Sequence, residues 1–156
     1  MKILRSDLQG GREAAFSFTV TQQDIVDENN ELGGRVSDSG LTVTGKAVLV
    51  NRKELAVAMK VTGAMIYPCA RCLEPTPYEC DFEYDEVIGI GEEAEELDLL
   101  PCVEECLFIN EPYRVLCKED CKGLCPHCGA NLNQTECQCE DEVVIDPRLE
   151  ALKKLL

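Results

Sequence analysis

The chain has one histidine and no tryptophan among its 156 residues, and only 4 tyrosines and 4 phenylalanines. A single imidazole excludes the two-histidine motif of a metalloprotease and leaves little room for triad chemistry. Basic side chains are scarce as well: 15 Lys and Arg stand against 30 Asp and Glu, for a formal net charge of −15. A chain this acidic is not, as a whole, a phosphate-neutralising nucleic-acid binder. No apolar run approaches the ~18 residues of a membrane-spanning helix. The opening MKILRSDLQGGREAAF lacks the apolar core of roughly 7–15 residues that a secretory signal needs. The expectation is a cytoplasmic protein with no membrane association, a compartment in which disulfides are rare. The apolar content, 45%, is ordinary. It argues against wholesale disorder, and the length suits one core plus a small appendage.

What charge there is lies unevenly. Residues 1–72 carry 9 basic and 8 acidic side chains, net +1; residues 73–156 carry 6 basic and 22 acidic, net −16. Between Arg71 and Arg114 there are 14 carboxylates and no Lys or Arg. The plain reading is a solvated acidic face with a loop around Glu92–Glu96; the functional one is a surface for a basic partner such as a ribosomal protein.

Alternation of apolar and polar residues predicts strands. Ala14, Phe16, Phe18 and Val20 mark one within 7–20. The Gly- and Ser-rich stretch 27–40 reads as a loop or hairpin connection. Leu41, Val43, Ala47 and Leu49 mark the next strand. After the turn-like Asn51-Arg52-Lys53, Leu55, Val57, Met59, Val61, Met65 and Tyr67 form one face of a hairpin partner ended by Pro68. Pro75-Thr76-Pro77 reads as a turn. Tyr78, Cys80, Phe82 and Tyr84 then alternate strictly with Glu79, Asp81, Glu83 and Asp85, one face packed and the other acidic and wet. Residues 89–96 read as loop. The spacing of Leu99, Val103, Cys106 and Leu107 predicts a short helix near 98–109, closed by Pro112. Asp146-Pro147 reads as the start of a terminal helix. The class is α+β: mainly an antiparallel sheet or partial barrel in a β-rich domain over 1–112. One or two short helices and a Cys-rich module over 113–156 complete it.

That module needs something other than a core to hold it. Eleven cysteines is an odd number, which disulfides alone cannot use up. Eight of them fall in short-spaced pairs: Cys69/Cys72, Cys117/Cys121, Cys125/Cys128 and Cys137/Cys139. A C-x2-C turn delivers two sulfurs to one ion, and Gly129 after Cys128 suits the tight turn. Cys137 and Cys139 are the natural partners of Cys125 and Cys128. The remaining two pairs can make a second four-thiolate site, closing a loop between a strand end and the tail. A single local site from Cys117, Cys121, Cys125 and Cys128 is the alternative, and iron–sulfur chemistry a further one. Closed four-thiolate zinc sites have no open position for water, so they are structural. Cys80, Cys102 and Cys106 read as small core hydrophobes, and His127 as pointing away from the ion.

The order Cys69-Ala-Arg-Cys72-Leu-Glu-Pro, CKGLCPHCGANLN, Cys-Gln-Cys and Asp146-Pro-Arg-Leu resembles the bacterial and plastid YceD family, the large ribosomal RNA subunit accumulation proteins. The resemblance runs from about Thr42 to the C-terminus, and CKGLCPHCGANLN is its most specific part. Some members of that family keep the first cysteine pair but lack the module spanning Cys125 to Cys139. The resemblance thus implies that Cys69, Cys72, Cys117 and Cys121 form a unit of their own. It implies two structural Zn2+ ions and a role in ribosome biogenesis and 23S rRNA accumulation, with rRNA or a large-subunit ribosomal protein as partner. It implies no catalytic residue. With no Ser/His/Asp set and no small-molecule substrate suggested, the expectation is a non-enzyme. A redox-sensitive zinc-thiolate chaperone or sensor is the alternative. Lys46, Arg52, Lys53 and Lys60, on or near the hairpin, are candidates for RNA phosphates; ordinary strand solubility is the plain explanation for them. No aromatic-interleaved stacking signature supports base reading.

Overall fold

In a computed structural model, residues 1–25, 32 and 35–139 are described. Four long antiparallel strands follow the alternation of the sequence: β2 (Glu13–Val20), β3 (Val36–Leu49), β4 (Glu54–Pro68) and β5 (Pro75–Gly89), in that spatial order. A shorter strand, β1 (Lys2–Leu4), pairs with β6 (Glu96–Asp98) in a two-stranded sheet. A 3-10 turn covers Arg5–Leu8, and among the described residues one α-helix, α1, covers Leu100–Ile109. The expected α+β class stands, as an open antiparallel sheet with one short helix. The terminal helix expected from Asp146 lies outside the described residues, as do residues 27–31 and 33–34 of the expected loop 27–40.

The register places every apolar alternation on one face. Phe18 pairs with Val43, which pairs with Val61, which pairs with Phe82. Val43, Leu55, Val57, Val61 and Met65 are fully buried there. Helix α1 turns Cys102, Val103, Cys106 and Leu107 into the same apolar cluster, joined by Leu8, Ile25, Leu97 and Leu99. Each fully buried Val or Leu contributes about 1.5–3 kcal/mol. Cys80, Cys102 and Cys106 lie in this core as small hydrophobes. The opposite face carries Glu79, Asp81, Glu83 and Asp85, all exposed.

Three local expectations are corrected. Residues 36–40 are strand, not loop: Val36 pairs with Met65 and Leu41 with Gly63, so the polar Ser37-Asp38-Ser39-Gly40 bulges out of an otherwise continuous β3. Gly40 has φ +73 at this bulge, and a Cβ there would stand 2.8 Å from both Thr19 Cγ2 and the Val20 carbonyl oxygen. Bulge and turn share a composition, which is why the sequence reads as a turn. Pro75 to Pro77 belong to β5, paired with Pro68, Tyr67 and Ile66. This strand is an edge of the sheet, where a missing N–H is tolerated. Glu96 to Asp98, read as the end of a loop and the start of a helix, form β6, which takes its partner from the N-terminus. Arg5 fastens this corner: its guanidinium donates to the carbonyls of Gly91 (2.7 Å), Glu92 (2.8 Å) and Arg52.

Gly45 lies where β2, β3 and β4 crowd together. A Cβ on it would come within 2.5 Å of the Ala58 carbonyl and 2.7 Å of both Met59 Cβ and Phe16 Cζ. Gly45→Ala is expected to lower stability by about 1–3 kcal/mol. The check is a urea midpoint that falls with the slope unchanged; an unshifted midpoint would contradict the packing described.

Candidate metal centres

The hairpin loop between β4 and β5 carries Cys69 and Cys72 in a tight, hydrogen-bonded turn. Its ends are pinned by the Pro68–Pro75 pair, and the Cys69 N–H donates to the Glu74 carbonyl at 2.9 Å. Inside it, the Leu73 N–H donates to the Cys69 carbonyl at 2.9 Å, with Leu73 in the left-handed region at φ 63. The same scaffold recurs downstream. The Cys125 N–H donates to the Ala130 carbonyl at 2.8 Å, and the Gly129 N–H to the Cys125 carbonyl at 2.9 Å, with Gly129 at φ 73. Two C-x2-C turns of one geometry thus differ in the residue at the left-handed position, which is free of steric cost for Gly and costs about 1–2 kcal/mol for Leu.

Each turn meets a second pair of sulfurs. Beyond α1 the chain returns to the first turn, where the Ala70 N–H donates to the Val115 carbonyl at 2.9 Å. This brings Cys117 and Cys121 in: Cys72 Sγ lies 3.5 Å from Cys117 Sγ, and Cys69 Sγ 3.8 Å from Cys121 Sγ. In the second cluster Cys137 Sγ lies 3.3 Å from Cys125 Sγ and 3.5 Å from Cys128 Sγ, with Cys139 completing the group. Within each group of four, all sulfurs lie within 4.8 Å of one another. Tetrahedral bonds of about 2.3 Å put thiolates roughly 3.8 Å apart. A disulfide needs about 2.05 Å, and all eleven cysteines are free. Of the two pairings open at the level of sequence, the geometry has two groups; Cys117/Cys121 and Cys125/Cys128 fall in different ones. Exposed His127 is in neither group; its backbone N–H points at Cys125 Sγ, 3.4 Å away.

The electrostatics of the sulfurs match a cation site. Backbone N–H groups of Cys72 and Cys117 lower the Cys69 thiol to about 6, and those of Cys128 and His127 lower Cys125 to about 6. Other thiols go the other way. Burial, then hydrogen bonds among the sulfurs, pushes Cys117 up to about 12; Cys139 is pushed up to about 12 first by Cys137 and Cys128. Within a group some thiolates are favoured and others opposed, and a bound dication would favour them all.

Three polar residues that sequence reasoning passed over brace the clusters. The Arg71 guanidinium donates to the carbonyl of Cys121 at 2.7 Å. Glu74 accepts from the side-chain amides of Asn131 (3.1 Å) and Gln134 (2.9 Å). The Asn133 amide donates to Cys121 Sγ at 3.3 Å. Three of the four candidate phosphate contacts are engaged: Lys46 pairs with Glu13 (3.0 Å), Lys53 with Glu92 (3.3 Å) and Lys60 with Asp81 (2.6 Å). No helix among the described residues is long and apolar enough to cross a membrane.

An open antiparallel sheet carrying two four-cysteine groups, each positioned so that it could hold a metal ion, defines a cysteine-rich protein with two candidate metal sites. The profile of the family described as "Large ribosomal RNA subunit accumulation protein YceD" matches residues 57–156, and the chain belongs to that family. It is 30% identical to the uncharacterized protein YlbN of Bacillus subtilis over 156 residues, covering 90% of this chain and 87% of that one. It is 28% identical over 60 residues to the chloroplastic large ribosomal RNA subunit accumulation protein YCED homolog 1 of Arabidopsis thaliana, spanning 38% of this chain and 19% of the relative. With Rv2926c of Mycobacterium tuberculosis the identity is 30% over 115 residues, 62% of this chain and 55% of the other. No solved structure matches the chain.

Two outcomes follow from these sites. Gly129→Leu should cost about 1–2 kcal/mol in urea unfolding, whereas Leu73→Gly should cost nothing measurable, because Leu73 is 63% exposed and already strained. Alkylation at pH 8 after chelation should label eight cysteines and spare three. Cys80, Cys102 and Cys106 are buried in the sheet–helix core, apart from either cysteine group, so reagent does not reach them while the sheet stays folded. Eleven labels on a protein whose sheet remains folded would contradict this division.

Proposed function

We propose that the chain is a non-enzymatic, zinc-binding factor of ribosome biogenesis that acts in the cytoplasm and supports 23S rRNA accumulation through large-subunit assembly. The observation that carries this reading is the family match over 57–156, a span that takes in most of β4, all of β5 and α1, and all eight clustered cysteines. Zinc is the metal favoured by four soft sulfurs at tetrahedral spacing. With every position filled by sulfur such a centre activates no water, which makes its role structural.

Charge chooses between the two partner classes. Three of the hairpin cations are held by carboxylates, while the outer face of β5 presents Glu79, Asp81, Glu83 and Asp85 in a row. Exposed ion pairs are worth about 0–1 kcal/mol, so phosphates could displace them, but an acidic strand in a chain of net charge −15 opposes RNA at longer range. A basic large-subunit protein is the better complement, with rRNA reached through it. In this reading the β-rich domain over 1–112 carries the docking surface. The cysteine module that begins at residue 113 is stapled to it by the first cluster.

Elemental analysis is expected to give two zinc per chain, and Cys69→Ser to leave one; iron, or no metal, would overturn the zinc assignment. In cells lacking the protein, 23S rRNA should fall relative to small-subunit rRNA. The tagged chain should co-sediment with large-subunit precursors and be released by raised salt. Unchanged 23S rRNA together with absence from all ribosomal particles would sink the reading.

A further inference from the structure

The stretch Cys128-Gly-Ala-Asn-Leu-Asn-Gln-Thr-Glu-Cys137 is held at both ends by the second cluster, yet its middle lies against the first. The Leu132 N–H donates to the Gly123 carbonyl at 2.9 Å, and Leu124 and Asn131 form an isolated antiparallel bridge. Gly123 has φ +79 here, and a Cβ on it would stand 3.1 Å from the Arg71 carbonyl oxygen. Asn133 is the residue in closest chemical contact. Its Oδ1 accepts the Lys122 N–H at 2.9 Å, which fixes the amide orientation because that partner can only donate. Its Nδ2 is then directed to Cys121 Sγ at 3.3 Å and to Asn131 Oδ1 at 2.9 Å. Both amide hydrogens and the oxygen are used. Asp lacks the donors, and Ala lacks all three interactions.

A dication surrounded by four thiolates leaves net negative charge on sulfur. An N–H donor aimed at one of those sulfurs stabilises the loaded state more than the empty one. We propose that Asn133 is a positioning residue that couples the two centres: closing the second cluster around its metal holds Asn133 against Cys121 and so tightens metal binding at the first. Without the second metal, no ion ties Cys137 and Cys139 to Cys125 and Cys128, so the far end of the 128–137 loop is released and Asn133 is no longer held against Cys121. By linkage the effect is reciprocal, so the first centre tightens the second by the same factor. This inference rests on the zinc reading above and adds to it the dependence of one site on the other.

The test uses the full chain loaded with two Zn2+ and titrated with a chromogenic chelator. Newly exposed thiols are alkylated and weighed, so that each cluster's release is read separately. In Asn133→Ala the first cluster should release zinc at a chelator concentration roughly 10–100-fold lower than in the unsubstituted protein. The second cluster should lose the same factor through the reciprocal linkage. The double variant Cys128→Ser/Cys137→Ser removes the second site without touching a first-site ligand. It should weaken the first cluster by the same order, and adding Asn133→Ala to it should change first-site affinity by less than about twofold.

With Co2+ in both sites, Asn133→Ala should also shift the first site's sulfur-to-cobalt charge-transfer band, which lost fold stability alone would not do. First-site release unchanged in the double cysteine variant overturns the coupling, as does an unshifted band in Asn133→Ala; the double variant decides the matter if Asn133→Ala does not fold. A chain that binds no zinc at all sinks the metal reading itself, whereas two zinc ions released independently sink only the coupling.

Discussion

Four sulfurs brought within 4.8 Å of one another, from a hairpin loop and from a segment some fifty residues later, cannot all be thiolates without a cation among them. Hydrogen bonds from the backbone favour the thiolate of Cys69, whereas burial and then the neighbouring sulfurs oppose that of Cys117. The described residues beyond α1 depend on how that opposition is resolved. The tail from Cys117 to Cys139 has no strand or helix and buries little apolar surface: Leu116 and Leu124 are the hydrophobic residues packed against the first cluster. Its order comes from sulfur geometry and from backbone and amide hydrogen bonds around it. The rest of the molecule obeys the ordinary rule, with a sheet face and one helix sharing an apolar core.

The two parts meet at the β4–β5 hairpin. Extending β4 and β5 to the Pro68–Pro75 pair leaves a six-residue loop, and two of the six are Cys69 and Cys72. A rigid, hydrogen-bonded strand pair therefore presents half of the first centre in a fixed geometry, and the flexible half has only to dock on it. That arrangement lowers the ordering cost of closing a loop of this length. Arg71 and Glu74, from the same hairpin loop, then hold the incoming segments through the Cys121 carbonyl and through Asn131 and Gln134.

Membership of the family described by large ribosomal RNA subunit accumulation gives this architecture a biological setting. The surface chemistry is consistent with contact through protein rather than through phosphate. An acidic strand faces solvent, and three of the four hairpin cations that could have met phosphate are paired with Glu13, Glu92 and Asp81. Surface pairs of that kind contribute little to stability. They do neutralise the near-neutral half of the chain, so the net field of the molecule is set by its acidic half.

Period-two alternation made β2, most of β3, β4 and β5 legible, because burial of one sheet face imposes that period on side chains. The helical spacing of Leu99, Val103, Cys106 and Leu107 did the same for α1. The eight paired cysteines could be recognised because thiolate ligands come in short spacings that let one turn deliver two sulfurs. Whether Cys117 and Cys121 joined the hairpin pair or the downstream pair was not determined by spacing, since both are compatible with a local turn. The tertiary path of the chain after α1, back along Ala70, settled which sulfurs share a group. The bulge at 37–40, the β1–β6 pairing and the contact of Asn133 with Cys121 likewise have no periodic signature. Each depends on a partner 12 to 97 residues away, and only the folded chain brings such partners together.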